Sequence, residues 1–98
     1  MLNIFRVSGD SMLPKIKSGD LALVTRILRI SEGDIIAYRI SALMVIIKRV
    51  QKIYGEKIIF ASDNVDTESC FCQVPLPRSS IVGKVFLIFR GFSVVFTK

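Results

Sequence analysis

The chain has 98 residues, 51% of them hydrophobic and 22% charged, and 14 Lys+Arg against 8 Asp+Glu leave it a net charge of +6. That is room for one domain, spanning 1–98, and it excludes global disorder, since a domain takes about 100–200 residues and needs an apolar core. Histidine is absent, which removes His-based catalytic triads, His-ligated metals and imidazole acid–base chemistry.

Short runs rich in Ile, Val and Phe favour pleated structure. In chain order the predicted strands are Ile4–Val7, Leu21–Arg26, Ile35–Ile40, Leu43–Ile53, Lys57–Ser62 and Val82–Arg90, with a weaker one at Phe92–Thr97. Turn signals separate them: Ser18-Gly19-Asp20, Ser31-Glu32-Gly33-Asp34, Tyr54-Gly55-Glu56 and Gly91. Between the first two strands, Ser11 to Lys17 admits one helical turn, with Pro14 tolerated near its start. Asp63 to Ser80 is polar, carries Pro75 and Pro77, and reads as a long functional or mobile loop. The fold class is therefore mostly β: a compact, single-domain antiparallel β-barrel or sandwich-like arrangement with little helix.

Without imidazole, a hydrolase needs another base. A lysine stripped of water can serve, because desolvation disfavours its charged form. In Met44-Val45-Ile46-Ile47-Lys48-Arg49-Val50, strand alternation sets Lys48 on one face with Met44, Ile46 and Val50 and turns Arg49 the other way. Alternation alone fits a plainer role as well, a lysine at a strand edge reaching out to water. The candidate nucleophile is Ser11, in Val7-Ser8-Gly9-Asp10-Ser11-Met12-Leu13-Pro14. It follows a glycine-containing turn and precedes a segment that cannot continue as strand. A nucleophile needs this setting, an exposed hydroxyl with its own N–H free to face an oxyanion. Gly9 would let a substrate backbone approach closely, and an ordinary hydrogen-bonded turn is the alternative.

Gly9-Asp10-Ser11-Met12-Leu13-Pro14, Gly19-Asp20-Leu21, Gly33-Asp34-Ile35-Ile36, Ile47-Lys48-Arg49-Val50, Ser62-Asp63-Asn64 and Val74-Pro75 with Ile81-Val82-Gly83-Lys84-Val85 follow in this order along nearly the whole chain. Together they resemble the Ser–Lys dyad peptidases, a group that includes the type I signal peptidases and the LexA-type self-cleaving repressors. The resemblance implies a signal peptidase/LexA-type β fold, with Ser11 as nucleophile, Lys48 as general base, and oxyanion and substrate binding around Gly9, Ser11 and Met12. It implies a protein or peptide substrate held as an extended strand, with small side chains near the cut. In many bacterial members a hydroxyl two residues before the nucleophile is a second oxyanion donor; Gly9 stands there, so that donor is unassigned. The family's lysine-orienting serine and its following Asp-Ser-Arg have no clear counterpart in Val65-Asp66-Thr67-Glu68-Ser69-Cys70-Phe71, where Thr67 or Ser69 are the candidates.

The Asp-Asn box and the Val-Pro segment favour the signal-peptidase side. No Ala-Gly or Cys-Gly pair is present, and only ten residues precede Ser11, so neither self-cleavage within this chain nor a DNA-binding half is expected. A processing endopeptidase acting on another protein is the expectation. The alternatives are a LexA-type cleavage domain without its DNA-binding half, and a non-catalytic β module that binds an extended peptide or a membrane surface. The apolar, basic stretch Val85–Phe92 would suit that contact. The cations are scattered, so solubility or weak attraction to a membrane surface is expected of them, and no nucleic-acid partner. Cys70 and Cys72 read as ordinary thiols, with no metal and no cofactor expected. Ile40 to Ile47, the longest uncharged apolar run, is far short of the roughly 20 residues of a membrane-spanning helix. The first residues lack a basic n-region, so the chain as written is expected to be soluble or peripheral.

Overall fold

A computed structural model describes residues 2–64, 73–91 and 93–96. It contains eight strands: β1 (Leu2–Arg6), β2 (Leu21–Thr25), β3 (Ile35–Ser41), β4 (Met44–Tyr54), β5 (Lys57–Ala61), β6 (Leu76–Pro77), β7 (Ile81–Arg90) and β8 (Ser93–Phe96). All pairings are antiparallel. They form one sheet in the order β1-β2-β7-β3-β4-β5-β6, with β8 added beside β7. The expected mostly-β, antiparallel class is what the chain adopts. The sheet is an open path, however, and is not closed into a barrel.

Two apolar clusters form on opposite faces, and the alternation of β3 explains both. Ile35 and Ala37 enter one cluster, with Val7, Met12, Ile16, Ala22, Val24, Val85 and Ile88. Ile36 and Tyr38 enter the other, with Val50, Ile58 and Phe60. A strand buried on both faces must be apolar at successive positions, and Ile35-Ile36-Ala37-Tyr38 is. Between β2 and β7 the backbones approach so closely that a side chain on Gly83 would meet backbone: a Cβ there would lie 2.6 Å from the Thr25 carbonyl oxygen.

Two local features differ from the sequence expectation. The stretch read as a loop to Ser80 contains β6, paired to β5 through Lys57↔Pro77 and Ile58↔Leu76, and then a 3-10 turn, Arg78–Ser80. Proline is tolerated there because β6 is an edge strand with no inner ladder to serve. The other is a bulge in β4 between Val50 and Lys52, which has consequences for the site. Among the described residues no helix is long and apolar enough to cross a membrane.

Candidate active site

β4 runs past the end of β5. The last β4–β5 pair is Arg49↔Ala61, so Val45 to Lys48 pair with β3 on one side and, among the described residues, have no strand partner on the opposite edge. A cavity of about 170 Å³ lies along this free edge, bounded across from it by Phe5–Ser8, where the chain leaves β1, and by Ser11 and Met12. Ser11 and Lys48 both line it. The free edge explains what the cavity can hold: unpaired strand backbone offers N–H and C=O groups to an extended peptide.

Lys48 is 4% exposed and donates from Nζ to Ser62 Oγ at 2.7 Å. Its partner is a neutral hydroxyl. The β4 bulge decides this. Nearer the hairpin turn Tyr54 faces Lys57 and Lys52 faces Ile59; beyond the bulge Val50 faces Phe60 and Arg49 faces Ala61. Continued one step past the last pair, the same register brings Ser62 beside Lys48. An unbulged ladder would have brought Asp63 there instead, and a carboxylate would hold the amine as a charged ion pair.

Asp63 binds Arg49 instead, in a two-pronged pair with Nε–Oδ1 and Nη2–Oδ2 both 2.7 Å, while Arg49 Nη1 donates to the Gly33 carbonyl at 2.7 Å. The hydrogen bond to Asp63 raises the Arg49 pKa against the opposing effect of burial. Asn64 then turns to the serine loop. Its backbone N–H donates to the Ser11 carbonyl at 2.8 Å and its Nδ2 to the Asp10 carbonyl at 3.1 Å. Three consecutive residues thus hold the lysine, its neighbour and the serine loop in turn.

The serine loop is also built locally. Ile16 N–H donates to the Met12 carbonyl at 3.0 Å and Leu13 N–H to that of Asp10 at 3.2 Å, the single turn expected for this segment. Met12, 1% exposed, and Ile16 anchor the turn in the core, so Met12 reaches the cavity as part of its apolar floor. Gly9 has φ +89°, and nothing lies within 4 Å of where a Cβ would stand. The backbone needs glycine there, and that flank is open.

Of the residues singled out by sequence, Gly9, Ser11 and Met12 belong to this loop, and Ser11, Met12 and Lys48 line one cavity. Thr67 and Ser69 lie outside the described residues. Ser62 was missed as the lysine's partner. Its signal was its place at the end of β5 opposite Lys48, concealed by the bulge.

An antiparallel β domain with a serine and a buried lysine on one cavity has the make-up of a serine-type peptidase. A family model described as Peptidase S24-like matches residues 2–86, and the chain belongs to that family. No individual curated protein matches it.

Proposed function

We propose that this protein is a Ser–Lys endopeptidase in which Ser11 is the nucleophile and Lys48 the general base. The observation that carries the reading is the shared cavity: an accessible serine turn and a buried lysine with a hydroxyl partner border it together. Ser11 Oγ attacks the scissile carbonyl as Lys48 Nζ takes its proton. The Ser11 backbone N–H stabilises the oxyanion, and Lys48 returns the proton to the leaving amine. Water then enters, gives a proton to Lys48 Nζ and attacks the acyl carbonyl; as the bond to Ser11 Oγ breaks, Lys48 passes that proton to Oγ, and the acyl group leaves as a carboxylic acid. Ser62 acts through Lys48 as a positioning residue, fixing its rotamer without supplying charge. The substrate lies extended along the free edge of β4, and the modest cavity volume of about 170 Å³ suits small side chains near the cut.

At the finer level, the order of the sequence motifs supports removal of a leader or pro-segment from another protein, in the manner of signal peptidases. The family match supports a second reading, a cleavage domain of the self-cleaving repressor type acting on its own kind of chain. Cut-site profiling on a peptide library tests the shared chemistry. Wild type is expected to produce defined cuts that Ser11→Ala and Lys48→Ala each abolish while circular dichroism stays unchanged. Cleavage that survives either substitution would remove the dyad. Cuts in added protein with none in the chain's own longer form would favour the signal-peptidase reading over the repressor one.

A further inference from the structure

A second cavity, of about 340 Å³, lies away from the serine turn and is lined by Asn3, Arg26, Arg39, Ser79, Ser80, Ile81 and Val82. Its position follows from the ladder. Thr25 of β2 faces Lys84 on β7 and Leu2 on β1, while Tyr38 of β3 faces Ile81 on β7, so the ends of four strands meet around it. Two guanidiniums border the space and, among the described residues, no acidic residue does. Among the described residues neither arginine is ion-paired. Two uncompensated cations beside the Ser79 hydroxyl and an asparagine amide make a setting for an oxyanion such as a phosphate, the Ser80 hydroxyl being engaged with Tyr38.

The surroundings of the two arginines bear on what would carry such a phosphate. Arg39 Nη1 donates to the Ala42 carbonyl at 3.4 Å, which ties it to the β3–β4 turn, and the next residue of that turn, Leu43, is 99% exposed. Arg26 is followed by Ile27, 79% exposed, and by exposed Leu28, on a turn fixed by the Ile27 N–H donating to Thr25 Oγ1 at 3.2 Å. Each cation therefore stands beside an aliphatic side chain projecting into solvent. Folding gains nothing from projecting them, and each tip is too small to be a protein-docking groove. Unpaired cations beside bare aliphatic tips suit the headgroup and upper acyl layers of a bilayer.

We propose that this end of the sheet docks on an anionic phospholipid membrane, with a lipid phosphate between Arg26 and Arg39 and with Leu43 and Ile27 entering the acyl boundary. The contact is independent of the peptidase chemistry and needs none of its residues. The net charge of +6 adds long-range attraction that salt screens.

Vesicle co-sedimentation of the full chain tests it, with phosphatidylcholine vesicles and with phosphatidylcholine–phosphatidylglycerol vesicles. Sedimentation is expected with the mixed vesicles and not with phosphatidylcholine alone. Each of Arg26→Ala and Arg39→Ala should weaken binding roughly fivefold, the loss of one surface cation near an anionic leaflet. Leu43→Asp, at a position with no packing to lose, should weaken it at least as much while leaving the fold unchanged by circular dichroism. Equal binding by the arginine variants, or by Leu43→Asp, would overturn the proposal. So would an inorganic phosphate titration that shifts the Ser79 and Ser80 amide resonances in a protein that ignores mixed vesicles, since the ligand would then be a soluble phosphate.

Discussion

The Nζ of Lys48 meets a hydroxyl, Ser62 Oγ, at 2.7 Å, although the very next residue is an aspartate. A hydroxyl orients the amine without demanding that it stay charged, and this permits a proton-accepting role. Three substitutions separate orientation from charge. Ser62→Ala removes the partner of a buried polar group, a loss of about 1–3 kcal/mol, and should lower kcat by roughly tenfold to a hundredfold with little change in KM. Ser62→Thr keeps the hydroxyl and should retain most activity. Ser62→Asp supplies a carboxylate and should abolish turnover while the protein remains folded. Full activity in Ser62→Asp would show that the hydroxyl is not what the site needs.

Asn64 bridges to the serine loop through its backbone N–H at the Ser11 carbonyl and its side chain at the Asp10 carbonyl. Asn64→Ala removes the side-chain bond and leaves the other. A neutral hydrogen bond contributes about 1 kcal/mol, so thermal stability should fall by only a few degrees. Activity should drop more than stability implies, roughly tenfold, because small misplacements of a reacting group are costly. Kinetics and a melting curve on the same sample check this: a variant that loses stability in full proportion to activity would make Asn64 merely structural.

The strands were legible because β3, β4 and β7 carry dense β-branched and aromatic runs whose alternation matches the two faces of the sheet. Lys48 was legible for the same reason, since it shares parity with Ile46 and Val50, both of which pack in the second cluster. Its partner was not. Counting back from the Tyr54-Gly55-Glu56 turn in an unbroken ladder aligns Lys48 with Asp63, and nothing about Gln51 announces the bulge that moves the register by one. β6 was hidden by Pro75 and Pro77, which argue against a strand unless it lies at an edge. The open sheet was hidden too, because closure depends on how strand ends lie in space and leaves no mark in local periodicity.

Gly83 is required for packing. A Cβ there would stand 2.6 Å from the Thr25 carbonyl oxygen and 2.9 Å from Val24 Cγ1. The first neighbour is backbone within the β2–β7 ladder and cannot swing aside. Gly83→Ala should therefore destabilise by about 2 kcal/mol or more, the scale of overpacking in a rigid core, which lowers Tm by on the order of 10 °C in a domain of this size. A melting curve that matches wild type would mean that the two strands can part at no cost.

The last β7 residue is tied to the loop before β2 by charge. Arg90 donates to the Asp20 carboxylate, with Nη2–Oδ2 at 2.9 Å, and to the Lys15 carbonyl at 2.9 Å, while the Lys17 backbone N–H donates to Asp20 Oδ2 at 2.8 Å. Burial by itself would raise the Asp20 pKa. The hydrogen bonds from Arg90 and Lys17, with the charges of both, outweigh it and lower the pKa below its usual 3.8. The unfolded chain therefore binds a proton at this group more readily than the folded one. The stability from ionised Asp20 is complete above the unfolded value, near 4, and is lost as pH falls through the lower folded value. Asp20→Asn should accordingly melt below wild type at neutral pH, by on the order of 5 °C. The gap should narrow as the pH drops below about 4, where wild type loses the same charge. Parallel melting curves from pH 7 to strongly acid buffer check this: a constant gap across the series would mean that the Asp20 charge contributes nothing to holding β7 against the loop.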